Sequence, residues 1–181
     1  MPDTALILID IQNDYFPGGS WEVERMETVA ANAARLLDHA RGKGDLVIHI
    51  RHEAGSDKAP FFRPGTPGAQ INDAVKPQET EAVVLKHRPN SFHETDLLDR
   101  LRDAGVSTLT ICGAMTQMCV DATTRAAVDH GFKTTVVSDA CGAKATSFGG
   151  VDVPAEVVQA AFLAPLAMSY AKVLTTDEIL A

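Results

Sequence analysis

The run Ala5-Leu6-Ile7-Leu8-Ile9-Asp10 consists of five apolar residues that end abruptly at a carboxylate. A continuous apolar run of this length is typical of a strand buried on both faces, whereas a strand with one wet face alternates apolar and polar residues. Such strands need helices on both sides of their sheet, because both faces must be covered. This run therefore predicts a layered α/β fold, with Asp10 at the carboxyl end of a buried first strand.

Further short apolar runs alternate with segments of helical periodicity along the rest of the chain. Strict alternation of strands and helices implies parallel strands joined by right-handed crossovers. We therefore expect an α/β fold, a three-layer αβα sandwich around a central, mostly parallel six-stranded sheet, in one domain over 1–181. The expected strands are Ala5–Ile9, Leu46–Ile50, Ala82–Leu85, Thr108–Cys112, Thr134–Val137 and Lys172–Thr175, and the expected helices are Met26–Ala40, Thr95–Ala104, Cys119–His130 and Val153–Met168.

The composition excludes several classes of protein. Sixteen Lys and Arg stand against 24 Asp and Glu, which gives a formal net charge of −8 and no basic stripe. We therefore expect no nucleic-acid partner. No apolar run approaches the roughly 20 residues of a membrane span, so we expect no membrane contact either. The first ten residues contain no Lys or Arg of a signal peptide, which favours a cytoplasmic location.

The three cysteines, Cys112, Cys119 and Cys141, cannot all pair with one another and lack the Cys-x-x-Cys spacing of redox or zinc motifs. Reduced thiols are typical of cytosolic proteins. Cys112 lies within an apolar run and is interpreted as a core residue. Cys141 follows a strand end and is interpreted as core, with a place in a pocket wall as the alternative.

Three polar or reactive residues share a topological position. Asp10 ends the first strand, Lys86 ends the third, and Cys119 follows the fourth at the start of a helix. The carboxyl ends of parallel strands meet at one edge of a sheet, where ligands bind. A helix N-terminus and a nearby cation lower the pKa of a thiol, and a carboxylate can exchange protons with it. Taken singly, each residue has an ordinary structural explanation, as a cap, a solvated lysine or a buried thiol.

Three segments carry a resemblance to a known family. They are Leu6–Phe16 (LILIDIQNDYF), Lys86–Phe92 (KHRPNSF) and Cys112–Val120 (CGAMTQMCV). In this order and spacing they resemble the isochorismatase-like cysteine hydrolases, which include nicotinamidases and N-carbamoylsarcosine amidases. The resemblance covers nearly the whole chain, and it is specific for fold and catalytic triad but not for substrate.

The resemblance implies a role for each site residue. Asp10 is the base, Lys86 is the cation between base and thiolate, and Cys119 is the nucleophile. A non-proline cis peptide is expected at Ala114–Met115, with the N–H groups of Met115 and Cys119 forming an oxyanion hole.

The metal site of the family's nicotinamidases is not expected here. Those enzymes bind a metal through Asp-x-His after the second strand, where this chain has His52 and Ala54. Two ligand positions therefore depart from the pattern, and we predict no metal and no cofactor.

The substrate contacts are expected near the triad residues in sequence. Gln12 either holds the substrate or closes a turn, and Phe16 and Phe92 are expected to line the pocket. The loops 12–24 and 52–77 are expected to decide the substrate, since long loops in compact domains are usually functional or mobile.

The sequence thus predicts a cofactor-free hydrolase that cleaves a C–N bond of a small amide or carbamoyl compound through a thioester. Two alternatives stay open: an isochorismatase that cleaves a vinyl ether without needing the cysteine, and a non-catalytic thiol redox sensor or binding protein on the same fold. A sensor would keep Cys119 but would not need both Asp10 and Lys86. We also expect a homo-oligomer, either a dimer or a tetramer.

Overall fold

The structure is a computed structural model that describes residues 3–181, so Met1 and Pro2 lie outside it. Its strands are β1 Thr4–Ile9, β2 Leu46–His52, β3 Ala82–Lys86, β4 Thr108–Ala114, β5 Lys133–Gly142, β6 Thr146–Phe148, β7 Val151–Val153 and β8 Lys172–Leu174. Six of them form one sheet in the order β3-β2-β1-β4-β5-β8, and every neighbouring pair in it is parallel. The predicted parallel six-stranded sheet is therefore confirmed.

Helices cover both faces of this sheet. They are α1 Met26–Lys43, α2 Leu97–Asp103, α3 Asp121–Asp129, α4 Ala155–Ser169 and α5 Thr176–Leu180. Helices α1 and α5 pack together on one face, over a core that includes Leu36 and Leu37. The other face is covered by α2, α3 and α4, which contribute Leu101, Ala127 and Leu166 to a second core. The three-layer sandwich is confirmed.

The order of the strands reverses beside β1. From β1 the chain adds β2 and β3 on one side, then returns to place β4 on the other side, so that β1 pairs with both β2 and β4. Ligands of open α/β sheets bind outside the carboxyl ends of the strands at such a reversal. Asp10 directly follows β1, and the turn that contains Cys119 follows β4.

Strand β5 is longer than the predicted Thr134–Val137, because the β4–β5 pairing is interrupted by an irregularity between Ile111 and Gly113 and then resumes. Gly113 has φ +126°, and a Cβ atom there would lie 2.0 Å from the carbonyl oxygen of Ile9. Only glycine fits this close approach of β4 to β1.

Three predicted helices begin at different residues in the structure. Helix α2 begins at Leu97 and not at the predicted Thr95. Val153 was expected to open a helix but pairs with Thr146 in the β6–β7 hairpin, so α4 begins at Ala155. The hairpin turns on Gly149 and Gly150, whose positive φ angles suit a two-residue turn. The helix predicted over Cys119–His130 is divided into a π-helical turn at Thr116–Val120 and α3.

Helix α4 is unusual in exposing an apolar face. Val157 and Met168 are 50% and 83% exposed, and the exposed Ala161 and Ala164 lie between them at helical spacing. Across residues 3–181, no helix is long and apolar enough to cross a membrane.

Candidate active site

The site is built from the carboxyl ends of four neighbouring strands. Asp10 follows β1, His52 ends β2, Lys86 ends β3 and Cys119 lies in the π-helical turn after β4. His52 and Lys86 are paired in the β2–β3 register, and the Asp10 N–H donates to the carbonyl of Ile50 at 3.1 Å. The structure thus brings the three predicted catalytic residues together, and it adds His52 to them.

Asp10 and Lys86 form a buried ion pair. The Lys86 Nζ lies 2.8 Å from the Asp10 Oδ2, and neither side chain has solvent exposure. Burial raises the pKa of the Asp10 carboxyl, the neighbouring Lys86 charge is the largest cause that lowers it, and the net pKa lies below its usual value. Burial lowers the pKa of Lys86, but Asp10 and the Cys119 sulfur raise it by more. Asp10 is therefore a carboxylate and Lys86 an ammonium in the resting site.

The electrostatics of Cys119 differ from the sequence prediction. A helix N-terminus and Lys86 were expected to lower the pKa of this thiol, but the structure gives the opposite net direction. Burial raises the pKa of Cys119 and Asp10 raises it further, whereas Lys86 lowers it by less. The prediction of a lowered pKa is wrong, because only 3% of the residue is exposed and a carboxylate lies beside it. Cys119 is therefore a thiol in the resting site.

The backbone around Cys119, where an oxyanion hole is predicted, combines a cis peptide bond with a π-helical turn. The peptide bond between Ala114 and Met115 is cis. Met115 immediately precedes the π-helical turn. Its carbonyl accepts hydrogen bonds from the N–H groups of Met118 and Val120 within that turn. The first N–H groups of any helical turn lack partners within it. Met115 and Cys119 are both buried beside this helical start.

Gln12 is placed as a structural residue. Its amide Nε2 donates to the carbonyls of His52 and Ala69 at 2.8 Å each, and its Oε1 accepts the N–H of His52 at 2.8 Å. The side chain is fully buried. These bonds join the end of β1 to the end of β2 and to the loop over 52–77, and they use the groups that were expected to contact the substrate.

The two phenylalanines predicted in the pocket lie in different places. Phe16 is partly buried against the core on the α1 side and borders a surface depression with Pro17. Phe92 packs against the rings of His130 and Phe132, with centroids 5.0 and 6.3 Å away. Because Phe132 immediately precedes β5, this contact lies toward the amino end of the strand and away from the catalytic edge.

Two aromatic residues other than the favoured Phe16 and Phe92 lie near the site. Tyr15 is buried, and burial is the largest cause that raises its pKa well above the usual value, with the Asp10 charge adding to it. Phe62 is fully buried, with its ring centroid 4.6 Å from that of Tyr15 and 5.9 Å from that of His52. The Phe62 N–H donates to Asp14 Oδ2 at 2.7 Å, which holds the 52–77 loop over the site.

The sequence pattern presents His52 only at a position where the family's nicotinamidases have a metal ligand. Its Nδ1 lies 3.2 Å from Lys86 Nζ, 3.8 Å from Asp10 Oδ2 and 4.0 Å from Cys119 Sγ. The position of His52 in the sheet could have identified it. Strand β2 lies between the strand that precedes Asp10 and the strand that ends at Lys86, so the last residue of β2 must lie beside both.

Asp10, His52 and Cys119 each offer a ligand atom, and these atoms lie within 4.8 Å of one another. Such a set can in principle hold a divalent ion such as Zn²⁺. Here the Lys86 ammonium contacts the same Asp10 oxygen and the same His52 nitrogen, so a second cation would compete with it. Ala54, at the other position of the nicotinamidase pattern, has no ligating atom.

The fold and this cluster define a doubly wound α/β protein with a thiol, a carboxylate and an ammonium at its switch point. The isochorismatase domain model matches residues 4–178. The chain belongs to the isochorismatase family of hydrolases.

Individual relatives agree with this assignment. The isochorismatase family protein YddQ of Bacillus subtilis (strain 168) is 48% identical over 177 residues, which are 98% of each chain. The maleamate amidohydrolase of Pseudomonas putida is 34% identical over 152 residues, covering 76% of this chain and 71% of that one. A crystal structure of a protein described as an isochorismatase hydrolase, from Oleispira antarctica, superposes with a TM-score of 0.94 at 48% identity, covering 98% of this chain and 96% of that one.

Proposed function

We propose that this protein is a cysteine hydrolase that cleaves the C–N bond of a small amide or carbamoyl compound through a thioester on Cys119. The observation that carries the proposal is the buried Asp10–Lys86 pair beside the Cys119 sulfur. A buried ion pair is weak support for stability alone, because desolvation offsets much of its attraction. A charged carboxylate next to a protonated thiol can, however, act as a general base. It removes the proton of the thiol while the sulfur attacks.

The first half of the reaction forms the thioester. Cys119 Sγ attacks the carbonyl carbon while its proton passes to Asp10, whose buried Oδ1 has no hydrogen-bond partner within residues 3–181. The negative charge that develops on the carbonyl oxygen is stabilised by the N–H groups of Met115 and Cys119. When the intermediate collapses, the C–N bond breaks and the nitrogen leaves with the proton from Asp10.

The second half regenerates the enzyme. Water attacks the thioester carbonyl and gives a proton to Asp10, and the acid is released as the C–S bond breaks. The proton then returns from Asp10 to the Cys119 sulfur. Throughout, Lys86 stays charged, and it stabilises both the Asp10 carboxylate and the anionic sulfur by proximity.

The relatives support an amide as the bond that is cleaved. One relative at 34% identity is a maleamate amidohydrolase. The substrate itself is a small molecule, and the loops over 12–24 and 52–77 are the parts of this chain that we propose select it.

The test is a screen of small amides and carbamoyl compounds for ammonia release, with wild type and Cys119→Ala in parallel. We expect the variant to bind the substrate but not turn it over, and we expect the thioester as a mass increase on the wild-type Cys119 peptide. Cys112→Ala is the matched control, because Cys112 is buried within β4 and should leave turnover unchanged.

Two outcomes would contradict the proposal. Cleavage of a vinyl ether that survives Cys119→Ala would indicate an isochorismatase activity. A reversible oxidation of Cys119 with no amide turnover by the wild type would indicate a thiol sensor.

A further inference from the structure

One nitrogen atom lies at the centre of the site without belonging to the triad. His52 Nδ1 is within 4.0 Å of the reactive atoms of Lys86, Asp10 and Cys119. The backbone of His52 is held on both sides, because the Gln12 amide binds its N–H and its carbonyl. The backbone from which the imidazole projects is therefore held by a group outside the triad.

The contact with Lys86 determines which nitrogen of His52 carries the proton. An ammonium can only donate hydrogen bonds. Lys86 Nζ lies 3.2 Å from Nδ1, so Nδ1 must be the acceptor, and the ring proton is on Nε2. A proton on Nδ1 would point an N–H at an ammonium. A doubly protonated ring would place two cations at the same short distance.

The same contact completes the surroundings of the Lys86 ammonium. Besides Asp10 Oδ2 at 2.8 Å, Lys86 faces the carbonyls of Arg88 at 3.1 Å and Pro89 at 3.3 Å. Those carbonyls come from the loop just after β3. The third neutral acceptor, the His52 nitrogen, lies 4.0 Å from the Cys119 sulfur. It therefore keeps the ammonium on the sulfur side of the site.

We propose that His52 is a positioning residue whose Nδ1 lone pair holds the Lys86 ammonium between Asp10 and Cys119. The proposal deepens the cysteine-hydrolase mechanism, since Lys86 is the group that stabilises the anionic sulfur there. His52 transfers no proton in this role. Its side chain is 17% exposed, whereas those of Asp10 and Lys86 are fully buried, so it also lies nearest to solvent of the three.

Three substitutions of His52 test whether its Nδ1 acts as a hydrogen-bond acceptor or as a group that transfers a proton. In His52→Asn the amide Oδ1 stands at the same number of bonds from the backbone as Nδ1 and can accept from Lys86. In His52→Gln the oxygen stands further out, and in His52→Ala there is none. The probe is iodoacetamide, with the rate of alkylation of Cys119 followed by peptide mapping between pH 7 and 10.

We expect His52→Asn to keep most of the wild-type alkylation rate. We expect His52→Ala and His52→Gln to lose about tenfold in this rate at a given pH, the change that accompanies one unit in thiol pKa. With an amide substrate, the same variants should lower kcat with little change in KM. If Cys119 in His52→Asn were alkylated as slowly as in His52→Ala, the acceptor role would be overturned. If Cys119 in His52→Ala were alkylated as fast as in wild type, His52 would have no role in positioning Lys86. His87→Asn is the matched control, because His87 is exposed and, within residues 3–181, its side chain hydrogen-bonds the Glu53 carbonyl and no residue of the site.

The tautomer gives a test that requires neither activity nor a variant that folds. In ¹⁵N-labelled wild-type protein at pH 7, we expect the His52 Nδ1 signal to be that of an unprotonated nitrogen and the Nε2 signal that of an N–H. His87 provides an internal reference of the opposite tautomer, since its Nδ1 faces a carbonyl at 2.9 Å and must donate. A protonated Nδ1 on His52 would overturn the proposal. Because alkylation and NMR need no turnover, their failure is distinguishable from failure to find an amide substrate.

Discussion

The Lys86 ammonium lies 2.8 Å from the Asp10 carboxylate, and both side chains are completely enclosed by protein. Removing one partner of such a pair leaves the other as an uncompensated buried charge, which costs about 3–5 kcal/mol. Each charge therefore needs the other in the folded protein, and together they are the source of the field that acts on the Cys119 sulfur. The two charges act on that sulfur with opposite signs.

Lys86→Met and Asp10→Asn should both abolish turnover but move the pKa of the Cys119 thiol in opposite directions. Burial sets that pKa high, Asp10 raises it and Lys86 lowers it. Loss of Lys86 should therefore raise the pKa further, and loss of the Asp10 charge should lower it, each by about one unit or more, or roughly 1.4 kcal/mol. The measurement is thiolate absorbance against pH.

A Cys119→Ala protein supplies the blank for that titration, and circular dichroism should show that both variants remain folded. Shifts of the same sign would mean that the three residues do not share one site. Because the groups are coupled, the measured values belong to the cluster, but the signs remain opposite.

Turnover of an amide substrate should survive prolonged treatment with a strong chelator. The reason is that Lys86 contacts the Asp10 oxygen and the His52 nitrogen that a metal ion would need, and Ala54 offers no ligand. The assay is ammonia release before and after chelation, with chelator alone tested against the detection system. Loss of activity that zinc restores would show that a metal acts in the site.

Gln12→Ala should lower the free energy of unfolding by about 2–4 kcal/mol, because it leaves buried backbone groups of His52 and Ala69 without partners. Urea denaturation of the variant measures this loss. Gln70→Ala, at an exposed position of the same loop, is the control and should change stability little. A variant of normal stability with a raised KM would instead favour the substrate contact that the sequence suggested.

Glu81→Gln should destabilise the protein at pH 7 and much less at low pH. Burial raises the pKa of Glu81, but Arg41, the Gln78 N–H and His49 outweigh it and bring the pKa to about 2. A carboxyl with a depressed folded pKa contributes stability that is complete above its ordinary value of 4.5 and is lost as pH falls toward 2. The difference in unfolding free energy between variant and wild type should shrink over that window.

Glu79→Gln, two residues away and exposed, is the matched control for that experiment. A difference between Glu81→Gln and wild type that stays constant from pH 7 to pH 2 would show that the charge of Glu81 is not what stabilises the fold.

We also expect two copies of this chain to associate through α4. The exposed face of this helix is apolar and consists of Val157, Ala161, Ala164 and Met168. Glu156 is the only charged residue in the helix, so two copies that pack through this face bring few like charges close to one another. A helix that is apolar on all sides is normally covered. Light scattering after size exclusion should give an oligomer for wild type and a monomer for Val157→Glu. Arg102→Glu, on α2, should not change the mass, and a monomeric wild type would contradict the expectation.

Several features of the site could be predicted from sequence because they are local. Each buried parallel strand is a short apolar run, and Asp10 and Lys86 mark the ends of two of them. Strand alternation alone then places these ends at one edge. His52 ends β2 in the same way, yet it was interpreted through a metal-ligand pattern instead of through its place between β1 and β3.

The sequence by itself determined the alternation of strands and helices, the parallel sheet and the carboxyl-edge positions of Asp10, Lys86 and Cys119. Only the tertiary structure decided the directions of the loop side chains and the charge state of the sulfur. Gln12 turns inward to bind backbone and Phe92 packs toward Phe132, because distant segments offer partners that neighbouring residues do not reveal. The pKa of Cys119 lies high because desolvation depends on how much of the whole chain covers the thiol, and no local spacing encodes that quantity.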